Sequence, residues 1–242
     1  MAQLSDQLVC YYKFDESSGN AVDQVSGNNL TNVGSIVYSA GKLGNGITLG
    51  TGKYMKFANA DTIFGTNAQA WSINIWFKTP NNTVANLIST YFSTVLGDST
   101  FSFDIWKNTD NTLQCDIRLS GTNKNVQGAV SVFDNAWHMA TLTVDIAAGQ
   151  LKLYCDGTLL NTTAIPTSGD YWDGGELHVG NVWYDNAESS PWNGMADELG
   201  GWTRAITQAE VTQLYNSGSA LSYPFPVAGG GVGSYGDEGL SA

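Results

Sequence analysis

The sequence predicts an all-β protein, a two-sheet antiparallel sandwich carrying one short helix near its C-terminus. Three observations lead there. Large apolar residues recur with a period of two, most clearly in Trp71-Ser72-Ile73-Asn74-Ile75-Trp76-Phe77-Lys78, where Ser72, Asn74 and Lys78 interrupt the opposite face. Turn-forming clusters separate such runs at Ser17-Ser18-Gly19-Asn20, Ser26-Gly27-Asn28-Asn29, Thr79-Pro80-Asn81-Asn82 and Cys155-Asp156-Gly157. About a dozen short strands punctuated in this way favour a sandwich over a βαβ fold.

In chain order the strands are expected at Leu8–Phe14, Gly46–Leu49, Tyr54–Phe57, Trp71–Lys78, Phe101–Trp106, Leu113–Leu119 and His138–Asp145. Leu151–Cys155 follows, with Leu151, Leu153 and Cys155 alternating against Lys152 and Tyr154. Asp156-Gly157 then joins it to Thr158–Thr163 and is the strongest hairpin signal, because both residues tolerate positive φ. Glu176–Gly180 and Leu199–Thr203 complete the strands. Thr207-Gln208-Ala209-Glu210 is a capping box, followed by Val211, Leu214 and Tyr215 on one face and a stop at Asn216-Ser217-Gly218. That helix is expected to cover a sheet edge or an opening between sheets. Leu221–Pro226 reads as an extended segment that needs a surface. Three regions result: an arm at 1–7, the sandwich at 8–226 and a Gly-rich tail at 227–242.

The chain has 242 residues, with 10 Lys+Arg against 22 Asp+Glu, for a formal charge of −12. Its 42% hydrophobic content is enough for a large core, while the 13% charged fraction leaves the surface to Asn, Thr, Ser and Gly. Nucleic-acid backbones and strongly anionic polysaccharides are disfavoured as partners, because no basic patch exists to meet them. Carboxylates in excess suit a bound cation. No run approaches the roughly 20 apolar residues of a membrane span. The N-terminus lacks the basic and apolar stretches of a secretory signal, so the sequons at Asn29, Asn81 and Asn161 carry no weight. Cys10, Cys115 and Cys155 form no disulfide framework, match no metal spacing and read as buried thiols.

Seven segments, in order, resemble the concanavalin A-like jelly rolls of the laminin G-like group found in bacterial and phage proteins. They are Tyr12–Gly19 with Asp23 and Ser26–Asn29, Gly41–Gly46, Lys53–Phe57, Trp71–Phe77, Trp137–Ala140, Leu153–Gly157, and Gly194–Leu199 running into Trp202–Thr207. The resemblance spans residues 8 to about 217, fits poorly at 79–130 and 165–193, and implies a jelly-roll topology. Gly200-Gly201 replaces the group's usual apolar–basic pair, so that strand is expected to be distorted or closely approached. The resemblance further implies a calcium ion, with Asp197 as a ligand and Asp23 and Asn28 in the loop facing it. The alternative is that Asp23 and Asn28 make Asx turns while Asp197 caps a strand.

Catalysis is not expected. Glycoside hydrolysis needs two carboxylates on one sheet face, roughly 5–5.5 Å apart for retention, and no Glu-x-Asp-x-Glu pattern occurs. Asp197 and Glu198 are adjacent and, in a regular strand, point to opposite sides. A pair assembled from separate strands stays open. His138 has no visible partner and, with His178 the one other histidine in the chain, reads as structural. The expected ligand site is the aromatic stretch Tyr171, Trp172, Trp183, Tyr184 and Trp192, interspersed with Asp and Asn, which suits stacking on sugars, packing on a partner protein, or local core. Tyr91, Phe92 and Trp106 form a second aromatic group. The expected role is a non-catalytic virion surface protein, a phage capsid decoration or tail-appendage subunit. Its partners would be capsid or tail proteins, neutral cell-surface glycans, or copies of itself, without nucleic acid or membrane insertion. The alternative is an extracellular carbohydrate-binding module of a bacterial polysaccharide-processing system, and a glycoside hydrolase ranks last.

Overall fold

A computed structural model of the chain describes residues 3–64, 69–80, 83–91, 101–108, 110, 112–119, 122–130, 132–169, 175–184 and 187–226. The strands are β1 (Leu8–Tyr12), β2 (Thr31–Val33), β3 (Val37–Ala40), β4 (Asn45–Leu49), β5 (Tyr54–Phe57), β6 (Ala70–Lys78), β7 (Ala85–Tyr91), β8 (Phe101–Lys107) and β9 (Thr112–Leu119). They continue with β10 (Thr122–Ala129), β11 (Trp137–Asp145), β12 (Gln150–Cys155), β13 (Thr158–Ala164), β14 (Glu176–Val179), β15 (Val182–Tyr184), β16 (Ala187–Ser189) and β17 (Gly194–Trp202). A one-turn helix α1 (Asp61–Phe64) precedes β6, and α2 (Gln208–Tyr215) follows β17.

Two antiparallel sheets form a jelly-roll sandwich. One runs β13-β12-β11-β6-β17-β4-β3, and the other β10-β9-β8-β7-β14-β5-β2. The first sheet gains an eighth strand because β17 changes partners along its length. Gly194–Ala196 pair with β4, whereas Leu199–Trp202 pair with β1. β15 and β16 make a separate hairpin. Between the sheets lie the alternating residues the sequence singled out: Trp71, Ile73, Ile75 and Phe77 of β6 meet Phe103, Ile105, Cys115 and Ile117 of the opposite sheet in one core.

The strands expected from alternation are all present, with ends shifted by a few residues. β1 stops at Tyr12, two residues short of its expected end, and Phe14 beyond it sits at φ 54°. The first half of β17 and strands β2, β3, β7, β10, β15 and β16 were not expected. Asp156 (φ 49°) and Gly157 (φ 76°) make the predicted hairpin turn. The capping box is formed in full, Thr207 receiving Glu210 N–H while the Glu210 carboxylate receives Thr207 N–H.

Helix α2 covers a sheet face rather than an edge. Val211 and Leu214 join Trp76, Met139, Tyr154, Trp202, Tyr11, Leu4 and Phe225 in a second apolar cluster on the outer side of the eight-stranded sheet. Tyr215 stacks on Trp76 at 5.6 Å, and Phe225 packs edge-on against Tyr11 at 5.4 Å, so residues 221–226 find their surface here. Ser72 and Asn74, which interrupt the outer face of β6, are therefore buried. Ser72 Oγ donates to Arg204 O and accepts Ile206 N–H, and Asn74 Oδ1 accepts Thr141 Oγ1–H. Among the described residues no helix is long and apolar enough to cross a membrane.

Candidate functional site

With one outer face covered, the outward side of the seven-stranded sheet is the place to seek a ligand site. β8 and β9 send Phe103, Ile105, Cys115 and Ile117 inward, so Asp104, Trp106, Gln114 and Asp116 face out. Register then aligns a polar row across all seven strands: Asn125, Asp116, Asp104, Ser89, His178, Lys56 and Thr31.

The row divides into a closed half and an open one. Ser89 and His178 are fully buried: Ser89 Oγ donates to Asn181 O, and His178 is held between Asn181 Oδ1 (2.8 Å) and Glu176 Oε2 (3.0 Å) and stacked on Tyr54. Lys56 bridges to Glu176 at 2.8 Å. His178 is thus locked into the sheet by its neighbours. Asp104, Trp106 and Asp116 are half-buried, and Asn125 is exposed. Trp106 lies in register between Asn86 and Gln114, and its indole N–H donates to Asp116 Oδ2 at 2.7 Å, which fixes the ring.

Asp104 and Asp116 are directly opposite each other on β8 and β9, the carboxylate pair from separate strands that the sequence left open. Burial, then the neighbouring Asp116 charge, pushes the Asp104 carboxyl up to about 8. Their oxygens are occupied by protein donors. Asp104 accepts Asn86 Nδ2–H (2.9 Å) and Asp116 N–H (3.2 Å), while Asp116 accepts Gln114 Nε2–H and the Trp106 indole. The result is a rigid polar frame around one tryptophan face, suited to orienting hydroxyl groups. Alternation along β8 is the signal that could have placed Trp106 outward.

The expected aromatic stretch fares differently residue by residue. Tyr171 and Trp172 lie outside the described residues, as does Phe92 of the second group. Trp183 and Tyr184 lie in β15, with their side chains outside the description. Trp192 is corrected: it is fully buried, edge-on to Phe77 at 5.4 Å, with the Lys107 ammonium 5.5 Å from its ring, so it is core and offers no face to a sugar.

Asp23, Asn28 and Asp197 do not assemble a calcium donor set. Asp23 accepts the N–H groups of Tyr11, Val25, Ser26 and Asn28, and the backbone carbonyl of Asn28 accepts Tyr12 Oη–H. Asp197 is engaged elsewhere, accepting the N–H groups of Lys42, Leu43 and Glu198. Carboxylates saturated by N–H donors from separate segments are turn and fork braces, not a shell of six to eight converging oxygens. Asp197 and Glu198 also depart from the expected opposite-facing geometry. Glu198 has φ 48°, the β17–β6 register shifts between Asp197 and Gly200, and both side chains are buried. His138, expected to lack a partner, has two: Asp156 at 2.7 Å and Asp134 at 3.2 Å.

Residues 49–212 match the family model described as the concanavalin A-like lectin/glucanases superfamily. No curated protein sequence matches the chain significantly. Solved structures share its fold at low identity. The binding domain of Paraclostridial Mosquitocidal Protein 1 superposes with a TM-score of 0.71 at 16% identity, over 89% of this chain and 53% of that one. Domain 4 of AbnA, a GH43 extracellular arabinanase from Geobacillus stearothermophilus solved with arabinotriose, gives 0.65 at 18%, over 86% and 97%. A botulinum neurotoxin type C structure, from work tying cell entry to two ganglioside molecules, gives 0.66 at 15%, over 88% and 51%. The chain thus spans about half the length of both toxin chains.

Proposed function

We propose that this chain, which belongs to the concanavalin A-like lectin/glucanases superfamily, is a carbohydrate-binding domain that holds a neutral glycan on the open half of the seven-stranded sheet. The observation carrying this reading is Trp106, an outward indole locked by Asp116 and flanked by Asp104, Asn86 and Gln114. A fixed aromatic face stacks on sugar C–H groups while the amide oxygens of Asn86 and Gln114, whose nitrogens are held by Asp104 and Asp116, take hydroxyl hydrogen bonds. The net charge of −12 favours an uncharged ligand. Further support comes from structures of the same fold, one solved with arabinotriose and one tied to gangliosides.

The role is binding without catalysis, since the oxygens of Asp104 and Asp116 are spent on protein donors. A virion surface is the proposed setting, supported by the resemblance to phage-borne members of the group; a secreted polysaccharide-processing system is the alternative. Mass spectrometry of purified particles checks the first.

The deciding experiment is a neutral-glycan array followed by titration of its best hit, with arabinotriose as a fixed probe. Trp106→Ala should weaken binding roughly ten-fold or more, the equivalent of one lost stacking contact of about 1.4 kcal/mol. Binding unchanged in Trp106→Ala but lost in Trp172→Ala or Trp183→Ala would move the site to the aromatic stretch. Silence on the array, or release of reducing sugar from any neutral glycan, would reject non-catalytic glycan binding.

A further inference from the structure

At the rim of the sandwich, away from the glycan face, three metal-ligating side chains of different chemistry come together. The His138 imidazole at the start of β11, the Cys155 thiol at the end of β12 and the Asp156 carboxylate in the following turn place one ligand atom each within 4.8 Å of one another. The backbone that presents them is fixed. Asp156 N–H donates to Met139 O, and Met139 N–H returns to Asp156 Oδ1, both at 2.9 Å. Gln208 Nε2 donates to Gly157 O, tying the turn to helix α2.

We propose that His138, Cys155 and Asp156 form a binding site for a zinc-class divalent cation, with water in the fourth position. The donor set of one imidazole nitrogen, one thiolate sulfur and one carboxylate oxygen suits a borderline, tetrahedral ion rather than an oxygen-seeking one. A second observation concerns the far side of the ring. His138 Nε2 faces Asp134 Oδ1 at 3.2 Å, and that oxygen is itself held by Ala136 N–H at 2.8 Å. A carboxylate behind a ligating histidine fixes its tautomer and directs the other nitrogen's lone pair at the ion. A neutral imidazole has one N–H, yet both nitrogens of His138 face carboxylates, with Nδ1 only 2.7 Å from Asp156 Oδ2. In the ion-free chain a second ring proton satisfies both carboxylates; with Nε2–H kept on Asp134, a zinc-class ion takes the place of the Nδ1 proton once Nδ1 and Asp156 Oδ2 draw apart to about 3.3 Å. Access is present: the side chains of His138 and Asp156 are 13% and 30% exposed, while the cysteine closes the inner side.

The test uses the full chain, freed of metal by chelation, titrated with Co²⁺ as a spectroscopic probe and then with Zn²⁺. One Co²⁺ per chain should bind with a thiolate charge-transfer band that Zn²⁺ bleaches and Ca²⁺ does not. At a hundred-fold excess over Kd, Zn²⁺ should raise Tm by roughly 5–10 °C. Cys155→Ser should abolish the band, and Cys115→Ser should keep it. Asp156→Asn, which retains an acceptor for Met139 N–H, should weaken binding at least ten-fold while melting cooperatively without metal. That variant decides the matter if Cys155→Ser fails to fold. The proposal is overturned by absence of a thiolate band, by a band that Asp156→Asn leaves unchanged, or by displacement with Ca²⁺, which would leave His138 as an imidazolium clasped by two carboxylates. None of these readouts depends on glycan binding.

Discussion

Three carboxyls with raised affinity for their proton dominate the chemistry at the scale of single residues. Burial, ahead of neighbouring charge, pushes Asp104 and Asp197 up to about 8 and Glu198 up to about 7. Between about pH 4, where free carboxyls ionise, and pH 8, the folded chain therefore holds more protons than the unfolded one. The stability these groups contribute is complete below about pH 4 and is lost as the pH rises through 7 to 8. Thermal melts should show a higher Tm at pH 5.5 than at pH 8.5, with a shallower slope for Glu198→Gln. A Tm that rises across this interval would show that burial does not set these values. Single residues also mark where sequence reading stopped. No local pattern separates the buried indole of Trp192, in the connection between β16 and β17, from the outward one of Trp106 on β8. No local pattern announces φ 48° at Glu198, because the fork in β17 imposes it. Nor does any pattern link His138 to Asp156, eighteen positions apart, before the hairpin returns the chain.

Among the elements, β17 is the most constrained. Where its partner changes from β4 to β1, the Asp197 carboxylate fills the fork by capping Lys42 and Leu43 N–H. The glycines beyond are there for space, as their departure from the group's pattern suggested. A Cβ on Gly200 would stand 2.7 Å from the Trp202 ring and 3.1 Å from that of Tyr11, and one on Gly201 would stand 2.8 Å from Cys10 Sγ. Gly200→Ala should cost about 1–3 kcal/mol through overpacking, seen as a Tm lower by roughly 2–10 °C. At α2, Thr207→Ala removes the side-chain half of the capping box and should cost about 1 kcal/mol; denaturant midpoints at constant m-value would read it. Elements were legible in the sequence where apolar and polar side chains alternate. β6 and β12 met that condition, although in β6 the polar Ser72 and Asn74 turn out to be buried as well. β10 did not: in Thr122–Ala129 only Val126 is buried, and an edge strand with one anchor leaves no alternation to read.

For the whole molecule, the salient fact is a second core outside the sandwich. Residues 221–226 lie across β1 and β17, where Trp202 Nε1–H donates to Leu4 O at 2.7 Å and Phe225 stacks at 6.4 Å from the same indole. Phe225→Ala should remove about 3 kcal/mol, the usual cost of emptying an aromatic site in a core. The loss should appear in one cooperative transition, because this cluster and the inter-sheet core share the strands of one sheet. A separate early transition would mean that the strap melts on its own.

That strap has a consequence for how the domain is displayed. Residues 3–7 and 219–226 both rest on the eight-stranded sheet, on the side away from Trp106. Leu4 and Phe225, near the two described ends, are thus held on the face opposite Trp106, which leaves the proposed glycan face uncovered by either. A chain captured on a surface through its N-terminus should bind glycan as well as the free protein does, whereas capture through a residue on β9 should block it. On the proposed reading, the eight-stranded sheet anchors both described ends and the seven-stranded sheet is left for contact.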